Sequence, residues 1–255
     1  MNLSSAVFLF LAGLAGGTAN GIAGGGTFFV FPALLFTGMP AVPANATNSV
    51  ALWPGLAAST RAFWPRLNAS RRVLMALVIG GLLGGLSGAI LLIRTPADIF
   101  VHLMPWLMLT ATVVFAMGSR IGARINGAGK PLDSSTAKLA VTVFFEFLLA
   151  IYGGYFGGGI GILLLALFST VGLRDIHEMN ALKIMLVTII NGVAVVTFII
   201  ARAVYWPQAL VIIVGAITGG HFGALLSQRL PAAWVRGFVL LVGTSVTVYF
   251  FLRHG

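Results

Sequence analysis

"GGTANGIAGGGTFF", residues 16–29, decides how this chain is read. The first charged side chain is Arg61, yet this stretch breaks the apolar run before it with glycines, an asparagine and two threonines. The surrounding composition is that of a chain whose solvent is lipid. Of its 255 residues 59% are hydrophobic, 8% are charged and 33 are glycine, with a mean hydropathy of +1.04. Such a make-up marks a polytopic membrane protein. Hydrocarbon offers no hydrogen-bond partners, so the backbone must close its bonds within helices or a barrel. Unalternating runs of Leu, Val, Ile, Ala and Gly exclude the barrel. The expected class is an all-α polytopic membrane protein.

Apolar runs fall at about 3–38, 42–60, 73–93, 99–119, 137–173, 179–201, 207–228 and 235–252. Two are too long for one crossing: at about 1.5 Å per residue, a run of 36 makes about 54 Å of helix against about 30 Å of hydrocarbon. Each contains a glycine cluster, "GIAGGG" at 21–26 and "GGYFGGGIG" at 153–161. Both are read as Gly-broken helical hairpins, for about eight to ten transmembrane segments. Basic residues test this reading, because Lys and Arg gather on the cytoplasmic side. With hairpins, twelve of the fifteen fall on one side and Arg94, Arg202 and Arg253 on the other; with single crossings the split is ten to five. The hairpin reading places both termini outside. Charge cannot distinguish full crossings from re-entrant loops.

The net charge of +10 follows from these loop clusters and calls for no nucleic acid. With no cysteine, disulfides and thiolate metal sites are absent, and no cofactor or metal is expected. "HEMNA" at 177–181 lacks the second histidine of a zinc-protease motif, and neither glycine cluster is followed by the Lys-Ser/Thr of a phosphate loop. The N-terminal segment lacks a basic start and is read as mature helix rather than as a signal peptide.

The chain repeats itself at an offset of 135. "GGLLGGLSGAILLIRTP" (80–96) and "GAITGGHFGALLSQRLP" (215–231) share glycines, Arg94/Arg229 and Pro96/Pro231 in one register. At that offset Gly24 meets Gly159, Gly26 meets Gly161, and "NATN" (45–48) meets "NALK" (180–183). An odd number of passes per half turns the halves over, so residues 1–125 and 126–255 are expected to be two inverted-topology repeats in one membrane domain. Secondary transporters of this plan bind substrate near the midplane, where broken helices meet.

"GIAGGGTFFVFPALLFTGMPAVPANATNSVA" (21–51) and "YGGYFGGGIGILLLALFSTVGLRDIHEMNALKIML" (152–186) resemble the sulfite exporter TauE/SafE family of membrane permeases. The resemblance covers nearly the whole chain. It implies transport of sulfur-containing anions (sulfite, thiosulfate or organosulfonates) across the cytoplasmic membrane, and it marks Gly24, Gly25, Gly26, Gly157, Gly158, Gly159, Gly161, Asn45, Asn48, Asn180 and Lys183 as characteristic positions.

The residues themselves suit an anion. A helix that starts inside the membrane aims free N–H groups and the positive end of its dipole at whatever binds there. Glycine lets that backbone come close. The candidate substrate site is therefore Gly24 to Thr27 and Gly157 to Gly161, with Asn45, Asn48, Asn180 and Lys183. The glycines of 80–89 and 215–224 are assigned to helix packing. Lys183 either faces the anion or reaches back to the interface. Glu146, an acid well inside a run, is the candidate for proton coupling, or else a satisfied carboxylate near a helix end. The expected function is an anion permease working by alternating access, embedded in lipid and taking a small sulfur-containing anion as its partner; self-assembly is left open. A passive channel and an intramembrane enzyme are the alternatives, and the enzyme lacks an acid–base partner for Glu146.

Overall fold

In the computed structural model, residues 1–22, 25–63, 67, 69–124, 136–171, 173, 175–226 and 232–254 are described. They form ten helices and no strand: α1 (Leu3–Ile22), α2 (Thr27–Phe36), α3 (Ala41–Phe63), α4 (Arg71–Arg94), α5 (Ala97–Arg124), α6 (Thr136–Tyr155), α7 (Ile160–Thr170), α8 (Ile176–Ile200), α9 (Trp206–Leu226) and α10 (Ala232–His254). The chain is an all-α membrane protein. Six of the described helices combine the length and apolarity needed to cross a membrane.

Both overlong runs are broken at their glycine clusters, the first between α1 and α2 and the second between α6 and α7. The second members have 10 and 11 residues, about 15 Å of helix at 1.5 Å per residue, half of what a crossing needs. So α2 and α7 are half-helices. α2 carries Pro32 and packs five hydrophobic side chains besides it, Phe28 and Phe31 among them, into the bundle. Apolar burial, not capping chemistry, anchors it.

The order of elements repeats: α6 to α10 follow α1 to α5 at the 135-residue offset to within a few residues. The pairing repeats as well. The first helix of each half packs on the fourth of the other, α1 on α9 and α4 on α6, and these are the most intimate contacts in the bundle. Glycine makes both possible. Along α4, Gly80 meets Val143 and Glu146, Gly84 meets Phe147 and Ala150, and Gly88 meets Ile151 and Tyr155. Gly13 and Gly17 of α1 meet Ile212 and Ala216, and Thr18 Oγ1 donates to the Gly219 carbonyl at 2.9 Å. In both pairs residue numbers rise together, so the helices run parallel.

Counterpart helices instead pack antiparallel. Trp106 of α5 meets Phe251 of α10 edge-on, whereas Phe115 further along α5 meets Arg236 near the start of α10. α3 and α8 are joined by Trp53 Nε1, which donates to the Thr188 carbonyl at 2.9 Å, and by Thr60 and Thr188, whose hydroxyls are 2.7 Å apart. Two of these contacts join residues 135 apart: Trp53 with Thr188, and Thr112 with Thr247, their hydroxyls 3.3 Å apart.

Candidate functional site

A cavity of about 450 Å³ lies between the two helix breaks. Asn20, Gly25, Thr27 and Phe28 line it from the first break, and Phe156 to Ile162 from the second. α3 contributes Asn48, Ser49, Leu52, Leu56 and Ser59; α8 contributes Asn180, Lys183, Ile184, Val187 and Asn191; Phe115 of α5 completes the wall. Four positions on α3, 48, 49, 52 and 56, have their 135-offset counterparts 183, 184, 187 and 191 across the same cavity. The centre of the space therefore straddles the two halves.

The breaks owe their shape to local chemistry. Gly25, Gly157 and Gly159 have φ of 94°, 80° and 79°, a left-handed region in which a side chain is strained. Different side chains brace the two turns. Asn20 Oδ1 accepts the Gly26 N–H at 2.7 Å, whereas the Tyr152 hydroxyl donates to the Gly158 carbonyl at 2.6 Å. At the start of α7 the Ile160, Ile162 and Leu163 amides bond back to Gly157 and Gly159. Among the described residues the Gly158 and Gly161 amides donate no such bond, and both residues line the cavity. Free amides at a helix start favour a negative guest.

Lys183 is the one charged residue among the described residues that line the cavity. Its ammonium donates to Asn180 Oδ1 at 2.8 Å, and its aliphatic stem lies near Gly161, where a Cβ would meet Lys183 Cδ at 3.4 Å. Across the cavity stands its counterpart, Asn48, almost wholly buried. The Asn48 amide nitrogen is 3.5 Å from Thr27 Oγ1, and its Oδ1 has no partner among the described residues. Among the described residues one cation, neutral amides, free N–H groups and no acid make a site whose charge complements an anion. Phe28, Phe115 and Phe156 close the other walls, with Phe28 edge-on to Phe115 at a centroid distance of 5.9 Å.

Among the residues singled out from sequence, Gly25, Thr27, Asn48, Gly157, Gly158, Gly159, Gly161, Asn180 and Lys183 come together on this cavity. Gly24 lies outside the described residues. Gly26 stands behind the wall, where a Cβ would come within 2.6 Å of the Asn20 amide. Asn45 is fully buried away from the cavity and donates from Nδ2 to the Tyr155 carbonyl at 2.8 Å. The three phenylalanines carried no signal in the sequence, since an apolar run does not show which rings turn inward. Asn20, Ser49 and Asn191, which the sequence offers as neutral donors to an oxyanion or as interhelical hydrogen-bonding residues, also line the cavity.

Glu146 is not among the described residues that line the cavity. It is fully buried in α6 against α4, and neither carboxylate oxygen has a hydrogen-bond partner among the described residues. Its neighbours are glycines: a Cβ on Gly81 would meet Oε1 at 3.0 Å, and one on Gly80 would collide with Oε2. Such a carboxyl group is costly to ionise without a partner.

The sulfite exporter TauE/SafE family matches residues 9–250 of the chain. A "probable membrane transporter protein" of Haemophilus influenzae is 27% identical over 240 residues, covering 94% of this chain and 91% of that one. Another, ORF9 of Sinorhizobium sp, is 24% identical over 94% of this chain and 90% of its own length. YfcA of Escherichia coli K12, also a "probable membrane transporter protein", is 24% identical over 94% and 87%. No solved structure matches the chain. With the family spanning nearly all ten helices and both breaks, the chain belongs to the sulfite exporter TauE/SafE family of membrane transport proteins.

Proposed function

We propose that this protein is a secondary permease for sulfur-containing anions (sulfite, thiosulfate or a short organosulfonate) in the cytoplasmic membrane. The observation that carries the reading is the cavity between the two helix breaks, whose described lining holds one charge, Lys183, and the glycines Gly158 and Gly161, whose amides make no backbone bond among the described residues. A sulfonate or sulfite group offers several acceptor oxygens and negative charge. Lys183 supplies one charge-assisted bond, the Gly158 and Gly161 amides supply neutral donors, and Asn48 and Asn180 fix orientation.

The mechanism in this reading is alternating access between residues 1–125 and 126–255, taken as inverted repeats around the cavity. Its supports are the antiparallel packing of the counterpart helices α3/α8 and α5/α10, and the two self-contacts at the 135-residue offset. With α2 and α7 as half-helices, each hairpin enters and leaves on one side, so α1 and α10 begin and end the chain outside the cell. Glu146 is the group assigned to carry a coupling proton, because neutralisation relieves an unpartnered buried carboxylate.

The test is flux of sulfite, thiosulfate and a short organosulfonate into proteoliposomes, with and without a proton gradient and against a carboxylate control. Saturable flux of a sulfur anion with counterflow is the expected result. Absence of flux for all three, from protein shown to be folded, removes the substrate assignment; unsaturable flux without counterflow removes the carrier mechanism.

A further inference from the structure

The cavity is not symmetric, although its centre is. Beyond the shared positions on α3 and α8 it extends to one end only, past Ser59, Asn180 and Asn20. The counterparts of these three at the 135-residue offset are Ala194, Asn45 and Tyr155. None of them lines the cavity, and they are 1%, 0% and 8% exposed. Two of them are locked together by the Asn45 Nδ2 to Tyr155 carbonyl bond of 2.8 Å. Tyr155 is further pinned edge-on to Phe100, with centroids 5.8 Å apart, and its hydroxyl donates to Thr95 Oγ1 at 3.3 Å. One end is therefore accessible space, and the matching end is packed protein.

Resting on the permease reading above, we infer that Asn45 and Tyr155 form the latch of a closed outer gate, and that Asn180 with the Asn20 carbonyl forms the equivalent inner latch in the opposite state. The cavity now extends along the C-terminal half of α3, toward the end where α4 begins with Arg71 and Arg72. Basic residues mark that end as cytoplasmic, so this structure is the inward-facing state. Exchanging the conformations of the two halves carries Asn45 Nδ2→Tyr155 O onto Asn180 Nδ2→Asn20 O, buries Ser59 and uncovers Ala194. The paired asparagines thus alternate between two tasks. Whichever faces the accessible end lines the substrate path, while the other holds the far end shut. This accounts for Asn45 being absent from the cavity that its twin Asn180 lines, beside Lys183.

The chain contains no cysteine, so single Ser59→Cys and Ala194→Cys variants each report one position to a membrane-impermeant maleimide applied to right-side-out and inside-out vesicles. Ser59→Cys is expected to react from the cytoplasmic face, and Ala194→Cys only slowly, from the outer face. Adding Asn45→Ala is expected to speed labelling of Ala194→Cys about three- to tenfold, the population shift that follows from removing one buried hydrogen bond. Adding Asn180→Ala, which removes the latch of the other state, is expected to slow it. An Ala194→Cys rate unaffected by Asn45→Ala overturns the latch, as does labelling of both cysteines from one face. Labelling needs no substrate, so the two readings fail separately. Flux without the labelling response removes the latch and leaves the permease; the labelling response without flux of any sulfur anion leaves the gates and removes the substrate assignment.

Discussion

Replacing Lys183 by glutamine is expected to weaken anion binding while leaving the bundle folded. Among the described residues the ammonium is the only charge lining the cavity, and it donates to the neutral Asn180 Oδ1 at 2.8 Å rather than to an acid. A hydrogen bond to a charged group contributes about 1.5–3 kcal/mol. At about 1.4 kcal/mol per decade, that is a loss of about ten- to 150-fold in affinity. The glutamine fits the same space beside Gly161 and still reaches Asn180, so stability should change little. The assay is concentration-dependent counterflow of the transported sulfur anion in proteoliposomes, with thermal unfolding of the same preparation as the folding control. The repeat supplies a second arm. In Asn48→Lys/Lys183→Asn the charge moves to the counterpart position across the same cavity, where Asn48 Oδ1 lacks a partner among the described residues, and most of the lost affinity should return. A Lys183→Gln protein that is folded and has a half-saturating concentration within twofold of the parent would refute the assignment of Lys183 to the anion.

Three further outcomes follow from the geometry. Gly159→Ala places a side chain at φ 79° and within 3.3 Å of Val114, for about 1–2 kcal/mol of strain; reduced flux with a small fall in unfolding temperature is expected, and unchanged flux would separate the α7 break from function. Gly154→Val drives a branched side chain into the Gly85 backbone, where α6 and α4 touch. Overpacking of this kind costs about 1–3 kcal/mol, and should be read as lower thermal stability in detergent. Glu146→Gln keeps the shape of a buried carboxylic acid but cannot exchange a proton. It should abolish any stimulation of transport by a proton gradient while preserving counterflow, and gradient-driven uptake by that variant would remove Glu146 from coupling.

The helix breaks were legible because they follow from lengths: a 36-residue apolar run cannot fit a bilayer as one helix, and glycine marked where each run gives way. Whether the second parts cross was a different matter. Residues 27–36 and 160–170 are as apolar as any full span, and only their ten and eleven helical residues show them to be halves. Lys183 was legible as a lysine in an apolar run, with its neighbour Asn180 repeated as Asn45 in the first half. The aromatic wall was not. Phe28, Phe115 and Phe156 have the same sequence surroundings as Phe8, Phe144 and Phe145, which lie on the outer surface of the bundle. In lipid both faces of a helix are apolar, so the inside–outside contrast that reveals a soluble core is missing.

Asn45 exposes a deeper limit. Sequence symmetry treats Asn45 and Asn180 as equivalents and would put both on the anion, yet one is sealed against the Tyr155 carbonyl and the other stands beside Lys183 in the cavity. In the alternating-access reading, two inverted halves cannot hold the same conformation at once if only one side of the membrane is to be reached, so any single state must break the symmetry written in the repeat. The asymmetry at Asn48 and Lys183 is of another kind. Those two line the same cavity in this state, and their difference in charge is chemical, present in every conformation. In the permease reading, a carrier built this way keeps one cation at the centre throughout its cycle and exchanges only neutral latches at its ends. That arrangement avoids carrying a second buried charge into a closed gate, where it would have no partner and would cost several kcal/mol.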